Sequence, residues 1–194
     1  MASDLSEDLA LDTRSGLPDA VRVLLETYPR AGWEADSGFD GLVRFWLERH
    51  LMFRRILGML QSEARAQLDN DVDPQTYRQR LARLGRTFVQ ELHTHHMIED
   101  HHYFPVLLTR DARLERGFEL LDSDHHALDA VLSGFADDAN AALASLAEGG
   151  GRDPVAHVLA TVERTQRLLD RHLTDEEDLI VPVILKYGTA GLPG

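Results

Sequence analysis

The 194-residue chain has no cysteine. That excludes disulfides and thiolate metal ligands, so any metal site must be built from nitrogen and oxygen donors. Basic charge is scarce, with 20 Lys and Arg against 33 Asp and Glu and a formal net charge of -13. Such a surface repels nucleic-acid phosphates and anionic lipid, which argues against either as a partner. No apolar run approaches the roughly 20 residues of a membrane span. The acidic opening MASDLSEDLALD lacks the basic start and apolar stretch of a secretory leader. Together these absences predict a soluble, cytoplasmic protein. Val, Ile and Thr are sparse and never alternate over a strand length, so no sheet is expected.

Ala, Leu, Arg and Glu fill most windows instead, with apolar residues three and four apart, the period of amphipathic helices. LPDAVRVLLETYP (17–29) reads as a short helix. AGWEADSGFDG (31–41) reads as a loop that Trp33 or Phe39 pins down. Four long helices follow, over about Asp40–Leu68, Pro74–Leu108, Asp122–Glu148 and Pro154–Tyr187. The breaks between them are DNDVDP, TRDARLERG and GGGRDP. Asp73-Pro74 starts the second helix with an N-cap and a proline at the first turn, and Asp153-Pro154 repeats the device. The predicted fold is all-α, an antiparallel up-down four-helix bundle over residues 40–188. A helical extension over 1–39 packs on it, and a tail covers 189–194.

The second and fourth helices carry one phrase each. HHMIEDHHYFP (95–105) and HLTDEEDLIVP (172–182) both place His, Glu and Pro at the same spacing: His95, Glu99 and Pro105, then His172, Glu176 and Pro182. Antiparallel helices set residues equidistant from a turn at one height. By that rule His50 pairs with His95, His95 with His125, and His125 with His172, one histidine per helix at one level. Each shares its stripe with apolar residues: His50 with Trp46, Phe53 and Leu57, His95 with Phe88 and Leu92, His125 with Leu121, Leu128 and Leu132, and His172 with Leu168 and Leu169. Glu99 and Glu176 follow their histidines by about 6 Å on the same face. Two ionised carboxylates in an apolar interior are very costly unless positive charge matches them. Two metal cations satisfy all six groups, and the imidazole-carboxylate donor set suits iron, manganese or zinc.

These residues resemble the hemerythrin-like (HHE cation-binding) family over about residues 40–188. The resemblance rests on His50 with Phe53, His95 and Glu99 with Phe104-Pro105, His125 with Leu128, and His172 and Glu176 with Pro182. It implies a four-helix bundle holding two iron ions with an oxo or hydroxo bridge, reactive toward O2, NO or peroxide; the redox partner is left open. His50, His95, His125 and His172 are the expected terminal ligands, and Glu99 and Glu176 the bridges. Two departures stand out. The oxygen-carrying members place a second histidine on the third helix where this chain has Asp129. They also place the last carboxylate five residues after its histidine, where this chain has Glu177 beyond Glu176. Six strong ligands rather than seven favour peroxide or redox chemistry, or sensing, over simple oxygen carriage. An enzyme that disproportionates or reduces peroxide or NO, and an iron-load-dependent regulator, are the alternatives.

His102 shares the predicted face of His95 and Glu99, as a further ligand, an outer donor or a core histidine. His96 and His126 lie about 100° round from their neighbours and are expected to pack or to donate to a ligand. His93, His101 and His157 are expected at the surface. Asp129 either bonds a ligand histidine or metal-bound water, or faces solvent. Pro105 and Pro182 kink their helices or end a regular segment.

Overall fold

A computed structural model describes residues 9–39 and 41–192. Asp40, expected to open the first long helix, lies outside them, as do the first eight residues and the last two. All regular structure among the described residues is helical. α1 covers Gly41–Asp69, α2 Pro74–Ile98, α3 Phe104–Leu108, α4 Glu115–Ala147 and α5 Asp153–Tyr187. A π-turn, Glu99–Tyr103, joins α2 to α3, and 3-10 turns occupy Arg30–Ala35 and Ala112–Leu114.

The local signals explain most boundaries. The Asp73 side chain accepts from Thr76 N at 3.0 Å and caps α2. Gly149 and Gly188 follow α4 and α5 at φ 75° and 73°, where a Cβ would be strained. Two expectations fail. Residues 17–29 form successive turns and no helix. α4 begins at Glu115, seven residues before the expected Asp122. Asp111 caps the start of the 3-10 turn Ala112–Leu114, accepting from Arg113 N at 3.2 Å, and that turn runs directly into α4; Asp111 also accepts from Tyr187 Oη at 3.0 Å.

The chain divides into two compact units. One comprises Met1–His50, His95–Ala127 and Asp170–Gly194; the other comprises Leu51–Thr94 and Leu128–Leu169. The second is a plain apolar bundle of four helical segments around buried Phe53, Leu57, Phe88, Phe135 and Val158, with Phe88 and Phe135 packed edge to face. The first also packs four helical segments, and its apolar core takes in Leu17, Leu24 and Trp33 from the segment before α1. Trp33 is buried and donates from Nε1 to Tyr28 O at 2.8 Å, so it pins the segment as expected, although Arg30–Ala35 within the expected loop is a 3-10 turn. Among the described residues, the buried histidines and the buried acids all belong to this first unit.

Candidate metal centre

α2 turns His95 and His96 inward together, and both are buried. Glu99 then opens the π-turn, where the Phe104 N–H bonds back to Glu99 O across five residues. Pro105 sits just beyond, and a proline ring clashes with the carbonyl four residues earlier in a regular helix. The widened turn removes that conflict. Such a turn adds a residue to the helix and rotates everything after it by about 100°. Tyr103 and Phe104 are therefore buried, and His102, in phase with His95 and Glu99 on a regular helix, is exposed. Its expected place in the interior is corrected by this turn.

His50 from α1, His125 from α4, and His172 and Glu176 from α5 complete the set, all buried. The two glutamates share one disposition. Glu99 places Oε1 2.9 Å from His95 Nε2 and Oε2 3.6 Å from His125 Nε2. Glu176 places Oε1 3.4 Å from His50 Nε2 and Oε2 3.5 Å from His172 Nε2. Each carboxylate thus offers one oxygen to either side. Two groups of donor atoms result, His50, His95, Glu99 and Glu176, and His96, His125 and His172; within each, the atoms lie within 4.8 Å of one another.

These atoms are poorly satisfied by the protein alone. Both oxygens of Glu99, Oε2 of Glu176, both ring nitrogens of His96, and Nε2 of His125 and His172 are buried without a hydrogen bond. The close His95–Glu99 approach lacks hydrogen-bond geometry. An unsatisfied buried polar atom costs about 1–3 kcal/mol, more if charged. So many in and around two converging donor groups is the pattern a cation relieves. The nitrogen and carboxylate donors also fit a hard or borderline metal.

On the outward side three of the imidazoles are braced. His50 Nδ1 lies 3.0 Å from Glu177 Oε1, His125 Nδ1 2.7 Å from Asp100 Oδ1, and His172 Nδ1 3.2 Å from Asp124 Oδ2. A carboxylate on Nδ1 holds the proton there and leaves the Nε2 lone pair facing in. Glu176 has its own donor, Trp46 Nε1, which bonds to Oε1.

Four consecutive acids, Asp175 to Asp178, are buried, and each has a different task. Asp175 accepts from Arg14 Nε at 2.8 Å, from Arg171 and from Leu17 N. Glu176 faces the centre. Glu177 links His50 to Arg30, and Asp178 accepts from Arg22 and Arg30.

The charges follow from burial. Burial, and then the neighbouring Glu176 charge, push the Glu99 carboxyl well above its usual range. Burial alone would raise Glu176 too, but His50 and the other imidazoles pull it well below. Burial depresses His95 and His96 strongly, and depresses His172 despite Asp124. At His50 burial is outweighed by Glu176 and Glu177, so its affinity for a proton rises. Without a cation the centre is thus one protonatable carboxyl, one carboxylate and mostly neutral imidazoles.

All six residues expected from the sequence are brought together. His96 was expected to pack or to donate to a ligand; it packs flat on His125 as one alternative had it, and one of its ring nitrogens also joins that group. The HHxxE spacing contained the signal, since His96 precedes Glu99 by three and His95 by four, and both offsets share a helix face. Asp129 is exposed and lies 3.8 Å from the exposed His93, so its solvent-facing alternative holds. His126, expected to pack or donate, is exposed, as are His101 and His157.

A helical core with two facing carboxylates and five inward imidazoles defines a cation-binding helical protein. The model of the hemerythrin HHE cation binding domain matches residues 41–184, and the chain belongs to that family. No curated protein and no solved structure matches the chain.

Proposed function

We propose that the chain holds two iron ions and presents them to O2, NO or peroxide, as a sensor, store or redox-handling protein. The observation that carries this reading is the disposition of Glu99 and Glu176, each with one oxygen toward either group of imidazoles. In this reading both glutamates bridge, His50 and His95 hold one ion, and His96, His125 and His172 hold the other. Such an iron pair supplies electrons and an open coordination position when bound. Zinc and manganese tolerate the same donors.

The group with only two imidazoles is the one with room for a ligand. It borders a cavity of about 530 Å³ lined by residues including Phe45, Trp46, Arg49, His95, Glu99 and Tyr103. Phe45 is 56 % exposed and forms part of this lining. A small neutral molecule would cross such walls readily and meet His95 and Glu99 at the inner end. The sequence argument for turnover rested on a missing seventh ligand. His96 offers that ligand, so reversible binding is favoured over an enzymatic role.

Metal analysis with a visible spectrum of protein purified in air tests the reading. About two irons per chain with near-ultraviolet charge-transfer bands are expected, and His95→Ala should lose iron. A chain that takes up no iron, or a His95→Ala variant that keeps a full complement, defeats it.

A further inference from the structure

The family match begins at residue 41, yet two side chains from before it reach the braces of the candidate centre. Arg14 is almost wholly buried, with a side chain 1 % exposed. Its Nη1 donates to Asp124 Oδ1 at 2.8 Å, and its Nε to Asp175 Oδ2 at 2.8 Å. The other oxygen of Asp124 is the one 3.2 Å from His172 Nδ1. Arg30 Nη1 donates to Glu177 Oε2 at 2.8 Å, and Glu177 Oε1 lies 3.0 Å from His50 Nδ1. Two relays of the same order result: arginine, carboxylate, imidazole, with Nε2 facing inward.

The order has a physical use. A buried carboxylate is tolerated when a charged donor matches it. A guanidinium holds it in one orientation through a rigid fork of donors. A fixed carboxylate then fixes the tautomer and tilt of the imidazole behind it. The third braced histidine differs, because Asp100 comes from the π-turn after α2 and not from a carboxylate tied to the N-terminal segment.

We propose that residues 14–30 are a two-point clasp, in which Arg14 and Arg30 are positioning residues that orient His172 and His50 through Asp124 and Glu177 and so slow the escape of bound metal. The proposal rests on the metal-binding reading and adds to it a role for the segment outside the matched region.

The test uses the full chain loaded with Co(II), whose visible bands report ligand geometry, and follows release to excess chelator. Arg14→Gln and Arg30→Gln should each speed release by roughly 10-fold or more, the usual scale for loss of a partner behind a ligand, and should alter the Co(II) bands. Arg14→Lys should recover part of the effect. Because Arg14 acts through Asp124, Arg14→Gln should add little in an Asp124→Asn background. The exposed Arg65, paired with Glu163 in the other unit, gives the control, and Arg65→Gln should release metal as the parent does. Arg30 is 41 % exposed, so its variant reads the second relay if Arg14→Gln fails to fold. Loaded variants that release Co(II) at the parent rate overturn the clasp alone, as do effects of Arg14→Gln and Asp124→Asn that simply multiply. A parent chain that takes up no Co(II) overturns the metal reading, and the clasp with it.

Discussion

The imidazole of His96 lies flat against that of His125, with ring centroids 4.0 Å apart and planes 10° from parallel. The His172 ring meets both edge on, at 5.4 and 4.8 Å. Three buried imidazoles in contact leave His96 with neither nitrogen hydrogen-bonded. Desolvation holds it neutral, which is the form that binds metal. His96→Ala should therefore cut bound metal by about half, emptying the three-histidine group while His50 and His95 keep their ion. His93→Ala, three residues earlier and 59 % exposed, should leave metal content unchanged. Metal analysis of the two variants after identical loading checks the contrast.

Glu99 is the residue whose loss should separate stability from binding. Its carboxyl is pushed well above the usual range, first by burial and then by Glu176. The sign follows. A carboxyl with a folded pKa above its unfolded one favours folding when protonated. The penalty grows as pH rises from about 4 and is complete above the folded pKa. Glu99→Gln removes that penalty. At pH 8 the metal-free variant should be more stable than the parent, and the gain should vanish near pH 4. Bound metal should fall at the same time. Denaturant melts of the stripped proteins at several pH values read the first effect. A metal-free Glu99→Gln less stable than the parent at pH 8 counts against it.

The sequence carried the long helices well, because Asp-Pro starts, glycine stops and a 3.6-residue stripe are all local signals. It also carried the six paired donors, since antiparallel helices convert distance from a turn into height. What it hid was non-local or off-period. His102 was placed inside because a regular helix demands it, and the π-turn at Glu99 breaks that period. His96 was set aside because one helix face was assumed, whereas a helix between two neighbours presents adjacent residues to both. The burial of Asp175, Glu177 and Asp178 around Glu176 has no local reading. Its meaning lies in Arg14, Arg22 and Arg30, more than 140 positions away, in a segment whose turns carry no helical period.

That segment also seats closely on α4. A Cβ added at Gly117 would lie 2.8 Å from Leu179 Cδ1 and 3.2 Å from Val21 O. Leu179 is buried and has little freedom to move, and the second contact is backbone. Gly117→Ala would gain about 1 kcal/mol of helix propensity at an open site. Here overpacking, typically about 1–3 kcal/mol, should win and lower the melting temperature. Gly134→Ala, where a Cβ meets nothing within 4 Å, should raise it. The pair of thermal melts gives opposite signs if residues near Val21 pack on α4 as described.

Trp46 joins the cavity to Glu176. Its Nε1 donates to Glu176 Oε1, its ring lies edge-on to Tyr103 with centroids 4.7 Å apart, and it lines the space that reaches His95. Glu176 is the carboxylate that stays ionised, with His50 its strongest electrostatic partner. Trp46→Phe keeps an aromatic wall but removes the donor from a buried charge. The metal-free protein should lose about 1–3 kcal/mol, beyond what the smaller ring costs in packing. When a cation occupies the centre it takes over the charge that the indole had met. The loss in the loaded protein should then be smaller, and metal should raise the melting temperature more in Trp46→Phe than in the parent. Equal losses with and without metal would mean that the indole serves packing alone. A loss larger in the loaded state would mean that Glu176 needs the indole to hold its bridging orientation.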